Sequence, residues 1–416
     1  MKSKLQKRSI INNNSSIFIA TFSHYEKGKR LPTNGMVEPM LSFFLSKVKK
    51  LVLLDEPHPV SDSINPVVEI FHQGHLKNRF HIPTLAFFFV YPFCKLPSKK
   101  QTRISYKIRD LLSVIYVFLT QKEKFDLFIG LEGINALAAI LFRKLGKVKT
   151  VVYYVSDYSP TRYGKTFFNS LYLWLDKFCV EHADFTWDVS PAMKEGRIKA
   201  GILRSDTNRI IHVPNGLFQS QIDPLPISER ARDRIIFIGI FDPELGIDLM
   251  VEALKLVQKE RPKATLHIIG GTENDIANLK KKASRLEVEK SLVFYGFVPQ
   301  DKEMTEIVRH CYIGVAPYRT YKSSRRRYGD SGKIRIYLGC GLPIVSTNLL
   351  WHTKYAIKRG AGIGVKDTPI DLAKGIVTLL QDENLYKKSS EIAIKLSKEN
   401  TWENTYSKAL QDMKRL

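Results

Sequence analysis

Short apolar runs alternate with amphipathic stretches along nearly the whole chain, which is how a mostly parallel sheet flanked by helices is written in sequence. In the first half the runs predict strands at SIFIATF (16–22), KLVLLD (50–55), VVEIFHQ (67–73), LAFFFV (85–90), FDLFIGL (125–131), VKTVVYYVS (148–156) and FTWDVS (185–190). Helical spacing predicts helices over 35–49, 103–121, 134–145, 166–182 and 191–200, the last opening on a capping Ser190 with Pro191 at its first position. Between 212 and 233 the periodicity gives way to Pro, Gly, Ser and polar residues, so 217–233 reads as a linker. A second series follows, with strands at 234–241, 264–271, 292–298, 312–318 and 342–347 alternating with helices at 246–259, 274–285, 301–310 and 333–339. The expectation is α/β: two Rossmann-like, doubly wound domains, 1–216 and 234–400, facing each other across a cleft, with 401–416 a helix returning to brace the first. Such sheets bind ligands beyond the carboxyl ends of their strands.

Composition narrows the partners. The 416 residues are 44% hydrophobic and 25% charged, as in a folded protein, and carry a formal charge of +24 with a pI near 9.7. That excess implies an anionic partner: phosphate, nucleic acid or a membrane leaflet. It leans to the first half, where 32 of 65 Lys+Arg but only 17 of 41 Asp+Glu fall within residues 1–216. Cys94, Cys179, Cys311 and Cys340 lie far apart, without metal or disulfide spacing, which fits the cytosol. TLAFFFVYPF (84–93) and LLSVIYVFLT (111–120) are about half the length that spans a bilayer, so no transmembrane helix is expected. Phe87 to Phe89, Tyr91 and Phe93, followed by lysines between 95 and 107, read equally as core or as contact with anionic lipid. The second alternative makes the cytoplasmic protein peripheral at the inner face of the cell membrane.

Candidate chemistry gathers at strand ends. After the first strand SHYEKGKRLPTNG (23–35) reads as a loop carrying His24, and GLEGINALAA sets Glu132 between two glycines at a strand-to-helix turn. The apolar run VVYYV delivers Asp157, which either caps the next turn or takes a proton from an attacking hydroxyl. Gly239, Gly270 and Gly271 end strands where a ligand can approach the backbone, though no dinucleotide fingerprint is present. In YGDSGKIRIYLGCGLPIVS (328–346), Asp330, Ser331, Gly332 and Lys333 stand where a helix begins. One reading is local, with Asp330 or Ser331 capping the helix. The other places an anion at the helix start beside Lys333. The neighbouring run Arg325 to Arg327 reads as a solvated face. No Asp-x-Asp pair occurs anywhere, so no metal is expected, and a diphosphate would be neutralised by cations and backbone N–H groups.

The order of FIGIFDPELGIDLMVEAL, LHIIGG, LVFYGFVPQDKEMTEIVRHCYIGVAPY and DSGKIRIYLGCGLPIVST resembles the nucleotide-sugar half of GT-B glycosyltransferases, over roughly 234–381. VYYVSD, DVSPAM, FDPE, VAPY and SGKIRIYLGCGLP together resemble the bacterial exopolysaccharide beta-glucuronosyltransferases most. That resemblance implies an inverting enzyme needing no metal. Its nucleotide-diphosphate-sugar donor lies against Lys333 and Tyr318, its base is Asp157, and Glu132 and His24 line the acceptor side. The implied acceptor is a glycan or a polyprenyl-linked saccharide in polysaccharide synthesis, and no specific nucleic acid is implied. Retaining relatives of this architecture carry an Arg, a Lys and the second of two Glu where this chain has Ile240, Leu245 and Ile336, with Asp330 a loose stand-in for the first Glu; this favours inversion. A nucleotide-sugar epimerase of the same architecture and a basic nucleic-acid binder are the alternatives.

Overall fold

A computed structural model describes residues 10–31, 35–95, 99–298, 302–321 and 324–416. Part of the predicted loop at 23–35, position 301 of a predicted helix and the side chains of Lys99 and Lys100 lie outside the described residues. The chain forms two compact units, one reaching to Val213 and including Tyr406–Leu416, the other spanning Pro214–Thr405. Among the described residues the first unit has a nine-stranded sheet and the second a six-stranded one.

The first unit runs β1 (Ser16–Glu26), β2 (Lys29–Leu31), α1 (Val37–Phe44), β3 (Lys50–Pro57), β4 (Val67–His72), β5 (His75–His81), α2 (Tyr91–Cys94), α3 (Lys99–Thr120), β6 (Phe125–Leu131), α4 (Glu132–Lys144), β7 (Val148–Val155), α5 (Phe167–His182), β8 (Phe185–Asp188), α6 (Pro191–Lys199) and β9 (Ile210–His212). Its sheet order is β5-β4-β3-β1-β6-β7-β8-β9, with β2 paired to β1. β3 is buried along its whole length because it lies inside the sheet, which is why its middle, Leu51–Leu54, reads as an apolar run. β4 and β5 pair antiparallel, so the sheet is mixed. The edge strand β5, HLKNRFH, is exposed almost throughout and gave no apolar signal.

Two expectations are corrected here. LAFFFV is not a strand: Thr84–Phe87 is a 3-10 turn entered from Pro83, with Phe87 buried and Leu85, Phe88 and Phe89 exposed. A uniformly apolar run carries no period, and the prolines at 83 and 92 set its backbone instead. His24 lies in β1, opposite Leu31 of β2, rather than in a loop; Lys27 and Gly28, both at positive φ, make the two-residue hairpin turn. The Ser190–Pro191 start of α6 is as expected, the hydroxyl accepting from the Ala192 N–H.

The second unit runs β10 (Arg234–Ile238), α7 (Ile247–Glu260), β11 (Thr265–Ile269), α8 (Glu273–Arg285), β12 (Leu292–Gly296), α9 (Lys302–Arg309), β13 (Ile313–Ala316), α10 (Gly332–Gly339), β14 (Ile344–Thr347), α11 (Trp351–Lys358), β15 (Gly362–Val365), α12 (Pro369–Gln381), α13 (Glu383–Glu399) and α14 (Trp402–Arg415), whose last residues belong to the first unit. The sheet is parallel throughout, in the order β12-β11-β10-β13-β14-β15. One contiguous apolar core joins it to α7, α10 and α12. The stretch expected as a linker is packed onto this unit: Leu217 is buried, and the Arg230 guanidinium donates to the Gly341 carbonyl at 2.7 Å and to Ser390 Oγ at 3.0 Å. Such burial requires apolar and polar partners far along the chain, which local composition does not reveal. In the first unit, Tyr406 packs its ring against Phe43, Phe44 and Trp187.

Candidate functional site

In the second unit the strand order reverses between β10 and β13, the kind of switch point beyond whose carboxyl ends open α/β sheets bind ligands. Gly239 follows β10, Tyr318 follows β13, and the chain then returns to begin α10 at Gly332. Lys333, in the first turn of α10, reaches this place. A Cβ at position 239 would stand 2.9 Å from its Nζ, and with φ at +149° the position suits glycine in any case.

The Lys333 ammonium is shielded from solvent and has no hydrogen-bond partner among the described residues. It stands 4.4 Å from the ring centroid of Phe237 and 5.3 Å from that of Tyr318. Burial, with Arg326 nearby, pushes its pKa down to about 7. Aromatic faces offer a cation some compensation, far less than a counter-anion in the same place.

The helix start beside it is also open. Ser331 is the N-cap of α10, yet its side chain makes no capping hydrogen bond to the first turn. Its hydroxyl instead lies 2.7 Å from the Tyr318 hydroxyl, whose pKa burial pushes up to about 12. Asp330 does not cap either. Its carboxylate, almost wholly buried, accepts from the backbone N–H groups of Asn215 at 2.8 Å and Ser331 at 2.9 Å and from Arg335 at 2.6 Å, with His352 Nδ1 3.4 Å away. Burial alone would raise its pKa, but Arg335 and His352 hold it below the usual carboxylate range. Asp330 is therefore a tie between Asn215 and α10 and is not open to a ligand. A side chain added at Gly332 would meet no atom within 4 Å. Gly270 and Gly271 differ: side chains there would strike the Gly239 carbonyl and the Phe241 ring, so these glycines serve packing within the unit.

The cationic loop leaves Arg325 exposed but is also fastened to the unit. Arg326 donates to Asp242 at 2.8 Å and Arg319 to Asp248 at 2.8 Å, while Arg327 bonds the Ser324 and Tyr321 carbonyls. Asp242 and Glu244 thus hold the loop from the β10–α7 connection, with Ser324 Oγ donating to Glu244 at 2.8 Å. Nothing local marked these pairs, whose members lie some eighty residues apart.

In the first unit the strand order reverses between β1 and β6. Glu132 begins α4 directly after β6 with φ at +66°, a conformation that costs a non-glycine residue roughly 1–3 kcal/mol. The turn is tight: side chains at Gly130 and Gly133 would collide with Ala136 and Leu175. Glu132 accepts from Ser156 Oγ at 3.3 Å and is half-enclosed, whereas Asp157 is exposed. Arg162 joins them, with Nη2 3.3 Å from the Asp157 carboxylate, Nη1 donating to the Asp157 carbonyl at 2.7 Å, and Nη1 3.9 Å from Glu132. Deeper, Glu56 at the end of β3 accepts from Asn135 at 3.0 Å, and burial raises its pKa well above the carboxylate range. Neither Arg162 nor Glu56 was singled out from sequence. The structure brings Glu132 and Asp157 together through Arg162; His24 stands on β1, beyond the stretch that pairs with β6.

Residues 232–382 match the family described as glycosyl transferases group 1. An uncharacterized glycosyltransferase of Methanocaldococcus jannaschii is 24% identical over 294 residues, 68% of this chain and 71% of that protein. A D-inositol 3-phosphate glycosyltransferase of Jonesia denitrificans is 27% identical over 178 residues, covering 42% of this chain and 41% of its own length. Among solved structures, Anabaena HepE in complex with UDP superposes with a TM-score of 0.66 at 14% identity, covering 96% of this chain and 100% of that one. Sucrose-phosphate synthase from Thermosynechococcus elongatus gives 0.69 at 13% identity, over 95% and 98% of the two chains. Within the second unit the chain thus resembles glycosyl transferases group 1, and its fold is the GT-B fold of these solved structures.

Proposed function

We propose that this protein is a glycosyltransferase that moves a sugar from a nucleotide-diphosphate donor to a hydroxyl of a glycan or lipid-linked acceptor, with inversion and without a metal, in the synthesis of a cell-surface saccharide. One observation carries the donor assignment: a shielded, unpartnered ammonium at an uncapped helix start on the switch point of the second sheet. A diphosphate supplies what both groups lack, a counter-anion for Lys333 and acceptors for the α10 N–H groups. The UDP bound by Anabaena HepE, a protein of the same fold, supports a nucleotide in that role.

The first unit supplies the acceptor chemistry in this reading. As the acceptor oxygen bonds to the anomeric carbon, the bond from that carbon to the diphosphate oxygen breaks. Asp157 takes the acceptor proton, and the leaving diphosphate takes the electron pair, its charge met by Lys333 and the helix start. Glu132, fixed by Ser156, orients the acceptor hydroxyls, while Arg162 between the two carboxylates offsets their repulsion.

A thermal-shift panel of nucleotide-diphosphate sugars tests the donor assignment. One donor should stabilise the wild type, and Lys333→Ala should lose both that stabilisation and product formation. Equal stabilisation of wild type and variant would refute the site. Sugar interconversion without any acceptor would make the protein an epimerase.

A further inference from the structure

The first unit leaves two apolar surfaces uncovered. On α5, Phe167, Leu171 and Trp174 recur at helical spacing and are 76%, 49% and 56% exposed. The helix cannot turn this stripe inward, because its other face is pinned. Asp176 is fully buried against Arg197 at 2.8 Å, the Asn169 side chain donates to the Pro160 carbonyl at 2.9 Å, and Cys179 packs on the carbonyl of Gly133. The second surface lies along the turn at Thr84–Phe87 and α2, where Leu85, Phe89 and Phe93 are 82%, 86% and 52% exposed. α2 packs on α3, α3 on α4 and α4 on α5, so one layer of helices presents both. α4 begins at Glu132, and the Arg162 guanidinium lies over the ring of Tyr172 of α5 at 5.6 Å. The layer therefore lies beside the acceptor chemistry of the same unit.

Charge identifies the occupant. Residues 70–109 contain eight Lys+Arg and no Asp or Glu, and residues 158–175 contain two and none. Both apolar surfaces thus lie in acid-free, cation-bearing sequence, and Lys95 beside the second is exposed above the Tyr91 ring. Exposed Trp, Phe and Leu with lysines at their borders suit the boundary between headgroups and acyl chains. Among the described residues no helix is long and apolar enough to cross a membrane, so contact would be lateral. We infer that the α5 stripe and the Leu85–Phe93 surface dock the first unit onto a lipid leaflet bearing anionic headgroups. Lipid docking is independent of the transfer reaction, and a lipid-linked acceptor would find its chemistry beside the docked face.

Vesicle flotation tests this with the full chain. The protein should float with phosphatidylglycerol-containing vesicles and far less with pure phosphatidylcholine, and salt raised to about 1 M should weaken binding by screening. Trp187 and Trp402 are buried and the half-buried Trp351 belongs to the second unit, so a blue shift of tryptophan emission on binding should come from Trp174 and vanish in Trp174→Phe, which still floats. Phe89→Ser/Phe167→Ser should float at least about tenfold less, reflecting two lost aromatic insertions, while melting as the wild type does. No flotation with anionic vesicles overturns the inference. So does flotation unchanged in the double variant, which would mean charge alone. A concentration-dependent dimer in sedimentation, abolished by the same substitutions, would assign the surface to a second copy of the chain and equally overturn it.

Discussion

The carboxyl ends of the two sheets are built on opposite principles. In the second unit a lone cation is shielded and unpaired, Asp330 is spent on fastening the chain, and the Ser331 hydroxyl is turned away from the helix it could cap. In the first, two carboxylates are gathered by Arg162 and one of them is exposed. Charge left uncompensated in a shielded place is costly to the folded protein, so it marks where a ligand supplies the missing partner. Charge on an exposed carboxylate with a neighbouring counter-ion can be exchanged at little cost, which suits a site that meets acceptors of varied shape.

Four measurements would break or sharpen that contrast. The largest effect belongs to the exposed carboxylate: Asp157→Asn should lower kcat by about 10²–10⁴-fold, the usual worth of a general base, with donor affinity unchanged. Equal loss of donor affinity would move Asp157 to the donor side. Next is proton linkage at Lys333. With its pKa near 7 in the free protein and raised by a bound diphosphate, donor affinity should fall by up to about tenfold per pH unit above 7. A nucleotide sugar is the right probe, since its diphosphate diester does not titrate in this range. Calorimetry at pH 8 in buffers of different ionisation enthalpy should register uptake of a proton, and none would place the anion elsewhere.

The third effect is on stability and has the opposite sign to that on activity. Because the unfolded chain holds the Lys333 proton up to its ordinary pKa of 10.5 and the folded chain releases it near 7, the lysine's cost to folding is complete below pH 7 and fades as pH rises toward 10.5. Lys333→Met should therefore melt higher than the wild type, more so at pH 6 than at pH 10, while failing to bind donor. A melting point that falls at pH 6 would show that the ammonium is paired after all. Smallest is Tyr318→Phe, which removes the bond to Ser331 at a cost of about 1 kcal/mol and frees that hydroxyl to cap α10. Donor affinity should drop with it, and unchanged affinity would mean that the cap position is immaterial.

The sequence made the strands and the position of Lys333 legible, since a cation in a first helical turn after a buried strand is a local pattern. What it could not show were pairings over distance. Asp330 reads as a cap until Asn215, 115 residues away, claims its oxygen. Arg326 reads as a solvated charge until Asp242 meets it. The exposed polar edge strand β5 had no apolar period to betray it, and LAFFFV had apolar residues without a period. At Glu132 the flanking glycines signalled a tight turn, but the positive φ of the acid itself became visible only in the backbone.

The ring of Tyr406 against Phe43, Phe44 and Trp187 has a bearing on biosynthesis. Residues up to 213 emerge from the ribosome nearly two hundred positions before the aromatic that seals their hydrophobic interior. During that interval the early half of the molecule waits with an open seam, which closes only once Tyr406 has been made.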